Sequence, residues 1–310
     1  MDIKSIKLGD VTIKNNLFLA PMAGFTDFAL RKIASDYGAG LLVTELVSAK
    51  GIIYKAKGTK DLLHTVDDGL TSAQIFGSDP VCMKEAILSE DLAPFPIIDI
   101  NMGCPVPKII KNGEGSALLA KPDLAEKIVK ECVKTGKIIT VKIRTGLKQD
   151  NLITEEFCKM LEGAGASLIT IHGRTREMYY SGDIFFDEIK KAKKAVKIPI
   201  IANGSIVSKE TADEMMEKTG ADGVMIGRGA MIRPYIFSQL QGIEYDFNLK
   251  ETLIKHLDLL LTKYPDKRVA INFRKFLPYY LKGMNVKELR VKANMTETTS
   301  ELKELFNEYL

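Results

Sequence analysis

Between Leu17 and Gly229, short apolar runs rich in β-branched residues recur along the chain, and a segment with helical periodicity follows most of them. The runs are LFLAP (17–21), GLLVTEL (40–46), SAQIFG (72–77), IIDINMG (97–103), IITVKIRTG (138–146), SLITIHGRT (167–175), IPIIANGSI (198–206) and GVMIGRG (223–229). Intervening stretches such as PDLAEKIVKECVKTG (122–136) and SKETADEMMEKTG (208–220) begin with Pro or Ser and end at Gly, as capped helices do. A strand–helix unit repeated about eight times predicts an α/β fold, the (β/α)8 or TIM barrel. The strands are continuously apolar, as burial on both faces requires. An open, doubly wound sheet is the alternative. From about Gln241 onward strand signals stop and the pattern is helical throughout, which predicts a barrel over 1–240 and a small all-helical domain over 241–310.

Composition changes this picture little. The chain has 310 residues, 45% apolar and 27% charged, which excludes large-scale disorder, and its net charge of +4 permits an acidic partner without demanding one. Its four cysteines form no CxxC pair and have no His-rich partner segment, so neither a disulfide framework nor a metal site is expected. The first residues lack the apolar core of a signal peptide and no run is long enough to cross a bilayer, so the chain reads as cytoplasmic, with no membrane role.

In a barrel of this kind the active site lies at the C-terminal ends of the strands, and that is where polar residues and glycines concentrate. Pro21, Met22, Ala23 and Gly24 follow the first run, Glu45 ends the second and Gln74 lies within the third. Asn101 and Cys104 close the fourth, Lys142 and Arg144 the fifth, and His172 and Arg174 the sixth. Asn203, Gly204 and Ser205 end the seventh, Gly227 and Arg228 the eighth. Any one of Gln74, Lys142 or His172 could be a polar residue satisfied inside the barrel. A lysine within an apolar strand is costly, however, unless it meets an anion or electron-rich ligand. Two glycine turns after the last two strands, with an arginine, fit a phosphate-bearing cofactor.

APMAGFTD, QIFGSDP, DINMGCPVPKIIKNGEGSALL, VKIRTG, IHGRT, ANGSI and IGRGAM occur in this order over nearly all of the barrel, and on them the chain resembles the tRNA-dihydrouridine synthases, most of all the bacterial DusB-type branch. The resemblance implies an FMN enzyme that reduces particular uridines of tRNA to 5,6-dihydrouridine, with NADPH re-reducing the flavin. Position by position, it implies that Pro21, Met22 and Ala23 line the isoalloxazine and that Gln74 and Lys142 bond its polar edge. It implies too that His172 contacts the flavin and that Asn203, Gly204, Ser205, Gly227 and Arg228 hold the phosphate. Where the family has Asp after the glycine of the seventh-strand motif, this chain has Ser205, a residue able to cap the following helix.

Reduction of the C5–C6 bond of uracil needs a hydride at C6 and a proton at C5. A thiol with an ordinary pKa of about 8.5 is mostly protonated at neutral pH. The resemblance makes Cys104 that proton donor, with Asn101 orienting the base or the loop. Cys82, Cys132 and Cys158 lie in helical patterns beside apolar neighbours and are expected to be small buried hydrophobes. Lys108, Lys111, Arg144, Arg174 and Arg176 are candidates to meet tRNA phosphates or the base. In the tail, FRKFLPYYLKGM (273–284) interleaves Arg274, Lys275 and Lys282 with Tyr279 and Tyr280. It reads as a core helix with flanking charges, to which the resemblance adds a tRNA-binding face. An active monomer is expected. The rival readings are a dihydroorotate dehydrogenase-type FMN barrel and an RNA-binding barrel without turnover.

Overall fold

The computed structural model describes residues 1–310. Eight parallel strands close into a barrel: β1 (Leu17–Leu19), β2 (Leu41–Ser48), β3 (Thr71–Phe76), β4 (Ile97–Met102), β5 (Ile138–Arg144), β6 (Leu168–His172), β7 (Ile200–Asn203) and β8 (Gly223–Ile226). Each strand pairs with the next, and β8 pairs with β1 to complete the ring. This is the barrel expected from the recurrent apolar runs, and the doubly wound alternative is excluded by its closure.

Because successive strand residues face opposite sides, one parity of each strand points outward and packs under the helices. Ile98, Ile100 and Met102 of β4, Ile139, Val141 and Ile143 of β5, and Ile169 and Ile171 of β6 belong to that outer core. The other parity points into the barrel. Its lower layers are apolar, with Phe18, Leu41, Val43, Ile97, Leu168, Ile201 and Met225 in one cluster. An antiparallel hairpin of Ile6–Leu8 with Val11–Ile13 contributes Ile6, Leu8 and Ile13 to the same cluster and plugs the bottom. The same alternation carried upward places Gln74, Asp99, Asn101, Thr140, Lys142 and His172 inside, towards the C-terminal mouth.

The outer helices obey local rules. Pro122–Val133 opens on a proline, which has no N–H to leave unsatisfied, and buries Ala125, Ile128, Val129 and Cys132 at helical spacing. Lys209–Thr219 starts from a capping box of Ser208 and Thr211 and stops at Gly220, whose left-handed backbone suits glycine.

From Leu249 on, the elements are helices: Leu249–Leu261, Asp266–Phe273, Leu277–Tyr280, Lys287–Ala293 and Thr299–Tyr309. Their core is continuous with the barrel's first helix, since Leu253, Leu257, Phe273, Phe276, Tyr280 and Phe306 cluster with Phe28, Ala29 and Leu30. At the seam His256 is inaccessible to solvent; its Nδ1 lies 2.9 Å from the Tyr280 hydroxyl and its Nε2 3.4 Å from the Asp27 carboxylate. Asp27 also caps the helix Phe28–Asp36 by accepting the Leu30 N–H at 2.8 Å. Within 273–284, Phe273, Phe276 and Tyr280 are therefore core, and Arg274 donates to the Thr296 carbonyl. Lys275 remains exposed.

Truncating Phe273, which lies against both His256 and Phe306, should cost about 3–5 kcal/mol of stability. Hydrogen exchange on Phe273→Ala should accelerate across 249–310 ahead of the barrel strands; uniform acceleration would show that the two cores unfold as one.

Candidate active site

The mouth is built around the turn after β4. Asn101 turns its side-chain oxygen back to accept the N–H groups of Gly103 at 3.2 Å and Cys104 at 2.9 Å. Arg144, at the end of β5, donates from Nε to the Gly103 carbonyl at 2.9 Å. Ser116 closes the turn from the other side, its hydroxyl and its N–H both donating to the Cys104 carbonyl, at 2.8 and 3.1 Å. Gly115 sits at φ +60°, and a Cβ there would lie 3.0 Å from the Cys104 carbonyl oxygen and 3.1 Å from its Cβ. The NMGCP and GEGSALL segments thus form one device, the second clamping the first. The sequence alone gives Gly115 and Ser116 no task; the one local signal for the clamp is a glycine followed by serine after a separate turn.

The Cys104 thiol is half-buried, and burial pushes its pKa up, opposed by the Val106 N–H and by the charges of Arg144 and Lys142. It stays protonated at neutral pH. Lys142 lies across from Asn101 in the β4–β5 register. Burial, together with repulsion from Arg144, lowers its pKa to about 8, while Asp99 and Cys104 act in the opposite direction. Gln74, on β3 beside β4, is fully buried; its Nε2 donates to Asp99 at 2.7 Å and its Oε1 accepts from Asn101 Nδ2 at 2.8 Å. Each end of that amide keeps capacity for one more bond.

His172 is buried on β6, between Arg144 of β5 and Asn203 of β7 in register. Burial and the surrounding charges of Lys142, Arg144, Arg174 and Arg228 drive its pKa well down, so the imidazole is neutral. Asn203 donates to the Met225 carbonyl at 2.8 Å and ties β7 to β8. Gly204 has φ +132°, and a Cβ there would collide with Ile184 at 2.5 Å. Ser205 adopts the left-handed conformation at φ +54° and accepts from Arg174 Nη2 at 2.6 Å. It does not cap the next helix: Ser208 does, from the extended backbone that an N-cap requires.

Arg144 and Arg174 are not outward-facing charges. Arg144 donates to the carbonyls of Gly103, Thr175 and Tyr179, and Arg174 to those of Gly182 as well as to Ser205. Both guanidiniums hold the loops after β4, β6 and β7. The buried Nη1 of Arg174 has no partner. Arg228 is exposed, its guanidinium 5.1 Å from the Tyr180 ring, whose other neighbour is Arg144 at 5.6 Å. Lys108 and Lys111 are exposed on the short helix Pro107–Lys111, and Arg176 is half-buried.

On the first loop, the Met22 carbonyl accepts the N–H groups of Phe25 and Thr26, and the Gly24 N–H donates to the Glu45 carboxylate. Pro21 and Met22 are half-exposed and Ala23 exposed, next to β8: a Cβ on Gly227 would lie 3.4 Å from Met22 Sδ. Lys275 of the tail reaches the same loop, 4.0 Å from where a Gly24 Cβ would stand. Cys82, Cys132 and Cys158 lie on outer helices, away from the mouth; Cys132 and Cys158 are buried as expected, whereas Cys82, near the start of its helix, is half-exposed and not a buried hydrophobe.

Known proteins share both this sequence and this architecture. A family model described as dihydrouridine synthase (Dus) matches residues 18–310. The tRNA-dihydrouridine synthase B of Vibrio cholerae is 42% identical over 260 residues, 83% of this chain and 81% of that protein. The protein of the same name from Pasteurella multocida is 38% identical over 290 residues, 90% of this chain and 87% of its own length. Among solved structures, morphinone reductase superposes with a TM-score of 0.56 at 12% identity, covering 78% of this chain and 90% of that one. Histamine dehydrogenase from Rhizobium sp. 4-9 does so with a TM-score of 0.60 at 14% identity, over 83% of this chain and 50% of that one. At such identities the superpositions speak for the barrel alone. The family match and the sequence relatives extend over the Cys104 turn, its clamp and the two glycine turns: this chain belongs to the dihydrouridine synthase family and is an oxidoreductase.

Proposed function

We propose that the protein reduces specific uridines of tRNA to 5,6-dihydrouridine with FMN as its flavin and NADPH as the reductant that restores it. The observation that carries this reading is Cys104, a thiol kept protonated at the mouth of the barrel beside Lys142, in a chain whose family match spans residues 18–310.

The residues at the mouth fit the flavin. The unpartnered Nη1 of buried Arg174 and the exposed Arg228, flanking the bends at Gly204 and Gly227, suit a phosphate. Asn203, Gly204, Ser205, Gly227 and Arg228 would hold that end. Pro21, Met22 and Ala23 would lie along the ring, Gln74 and Lys142 would bond its polar edge, and neutral His172 would offer a hydrogen bond without adding charge. Bound there, FMN would supply the hydride to C6 of the uracil.

Cys104 then gives its Sγ proton to C5, which completes the saturation of the double bond. The thiolate left behind sits near Arg144 and Lys142, whose charges stabilise it until solvent returns a proton. Asn101 holds the turn so that the thiol keeps its place through this exchange. The tail, 241–310, brings Lys275 and Tyr279 to the Gly24–Phe25 loop, Tyr279 packing edge-on against Phe25 at 5.2 Å. With Lys108 on the opposite rim, it would present tRNA to the mouth, the protein acting as a monomer.

Deleting the gene should remove dihydrouridine from defined positions of total tRNA, read by mass spectrometry of nuclease digests, and restoring it with Cys104 intact should bring the modification back. Unchanged tRNA alongside a yellow, flavin-loaded protein would discard the tRNA substrate and leave a flavin barrel acting on small pyrimidines.

Cys104→Ala should keep its flavin and lose about 10²–10⁴-fold in turnover, the usual contribution of a placed general acid. Full activity in that variant sinks the acid assignment.

Lys142 gives a pH signature. Its pKa in the flavin-free protein is lowered to about 8, and an electron-rich flavin edge favours the charged amine. Affinity for added FMN should therefore be flat below that pH and fall as pH rises through it. Lys142→Met should bind more weakly, with the fall near pH 8 abolished, in fluorescence titrations of the flavin-free protein; a fall that persists would assign it to another group.

A further inference from the structure

Asp99 lies inside the barrel on β4, 3% exposed, one inward position below Asn101. It does not reach the Cys104 turn. Its Oδ1 accepts from the Thr140 hydroxyl at 2.6 Å and its Oδ2 from Gln74 Nε2 at 2.7 Å. From there an unbroken series runs upward: Gln74 Oε1 accepts from Asn101 Nδ2 at 2.8 Å, and Asn101 Oδ1 accepts from the backbone N–H groups of Gly103 and Cys104.

Two side-chain amides in series can each point either way round, and the groups at the two ends decide which. Burial raises the pKa of the Asp99 carboxyl, opposed by its bonds to Thr140 and Gln74 and by the charge of Lys142; in its ionised form it only accepts, so Gln74 turns its NH2 towards Asp99 and its oxygen towards Asn101. Asn101 must then offer its own NH2 to that oxygen, which leaves its carbonyl free for the N–H groups of the turn. Those N–H groups only donate, so both ends demand the same polarity. Were both amides reversed, the Asn101 NH2 would face two N–H groups, and the turn that carries Cys104 would lose its anchor.

We propose that Asp99 is a positioning residue for Cys104: through Gln74 it sets the orientation of Asn101, and thereby the acceptor that holds the Gly103–Cys104 backbone in place. Its service to proton donation rests on the assignment of Cys104 as the acid, made above; the polarity argument does not.

Asparagine at this position keeps the shape but has one acceptor oxygen where Asp99 has two, each already used. One of the two donors must then reverse or go unpaired, and the polarity of the series is no longer enforced. The test reads the turn itself, as the alkylation rate of each cysteine by iodoacetamide on the purified flavin-containing protein, followed by peptide mass spectrometry. Half-exposed Cys82 serves as an internal reference.

In Asp99→Asn, alkylation at Cys104 should rise about three- to tenfold, the span that loss of one buried hydrogen bond gives, with Cys82 unchanged. The double variant Asp99→Asn/Asn101→Ala should react no faster than Asn101→Ala alone, because the two residues act as a unit. Thr140→Val leaves the Asp99–Gln74 bond in place, so it should lower the melting temperature without changing the rate at Cys104. A Cys104 rate within about twofold of wild type in Asp99→Asn, singles that multiply in the double variant, or an equal rise in Thr140→Val would each overturn the proposal. Should Cys104→Ala retain full activity while the alkylation pattern holds, the acid assignment falls and the positioning role stands.

Discussion

Polar side chains inside a closed barrel have no water to turn to, so they must satisfy one another. Leaving one buried donor or acceptor unpaired costs about 1–3 kcal/mol. Thr140, Asp99, Gln74 and Asn101 meet that demand across three adjacent strands, and the register that pairs Gln74 with Asp99 and Asn101 with Lys142 makes their side chains neighbours. The apolar layers below and the hairpin plug keep the network dry. The turn above it inherits its precision, since the only side-chain acceptor for the Gly103 and Cys104 N–H groups is the last member of that series.

The second constraint is electrostatic. Lys142, Arg144, Arg174 and Arg228 converge on one mouth, and their charges all act on His172. Such a gathering is unfavourable unless it is offset. Arg144 and Arg174 are offset locally, by backbone carbonyls that accept from their guanidiniums and by Asp183, which acts on Arg174. Asp99 does the same for Lys142 from below. The remaining positive potential faces outward, where an anionic cofactor and a polyanionic substrate would complete the balance. Burial first, and these charges with it, leave His172 in the neutral form.

Strand runs and their polar ends made the barrel and the rim of the site legible in the sequence, because a continuous apolar run and the polar residues at its C-terminal end are local properties of each segment. What stayed hidden depends on residues brought together across the barrel. Asp99 was quoted within its motif and given no role, since its partners Gln74 and Thr140 are 25 and 41 positions away. Arg144 and Arg174 read as possible phosphate contacts because an arginine at a strand end looks the same whether its guanidinium meets solvent or a neighbouring loop's carbonyl. Ser205 looked like a helix cap, but the cap lies three residues later, where the backbone becomes extended. In the tail, helical patterning identified the core phenylalanines and did not distinguish buried Tyr280 from Tyr279 at the rim.

The seam between tail and barrel ties these layers together. His256 bonds Tyr280 on one side and Asp27 on the other, and Asp27 caps the helix that begins directly after the loop carrying Met22, Ala23 and Gly24. Glu45, half-buried with its pKa raised by burial, accepts the Gly24 N–H, and the charge of Lys275 acts on it from the tail. Arg31, fully enclosed, fastens the same loop through the Thr26 carbonyl and the neighbouring one through that of His64. The loop proposed to lie along the flavin is thus fixed by the surface on which the helical tail docks. A displacement of the tail would be felt first at Gly24 and Phe25, so the same contacts that seat the tail also shape the mouth of the barrel.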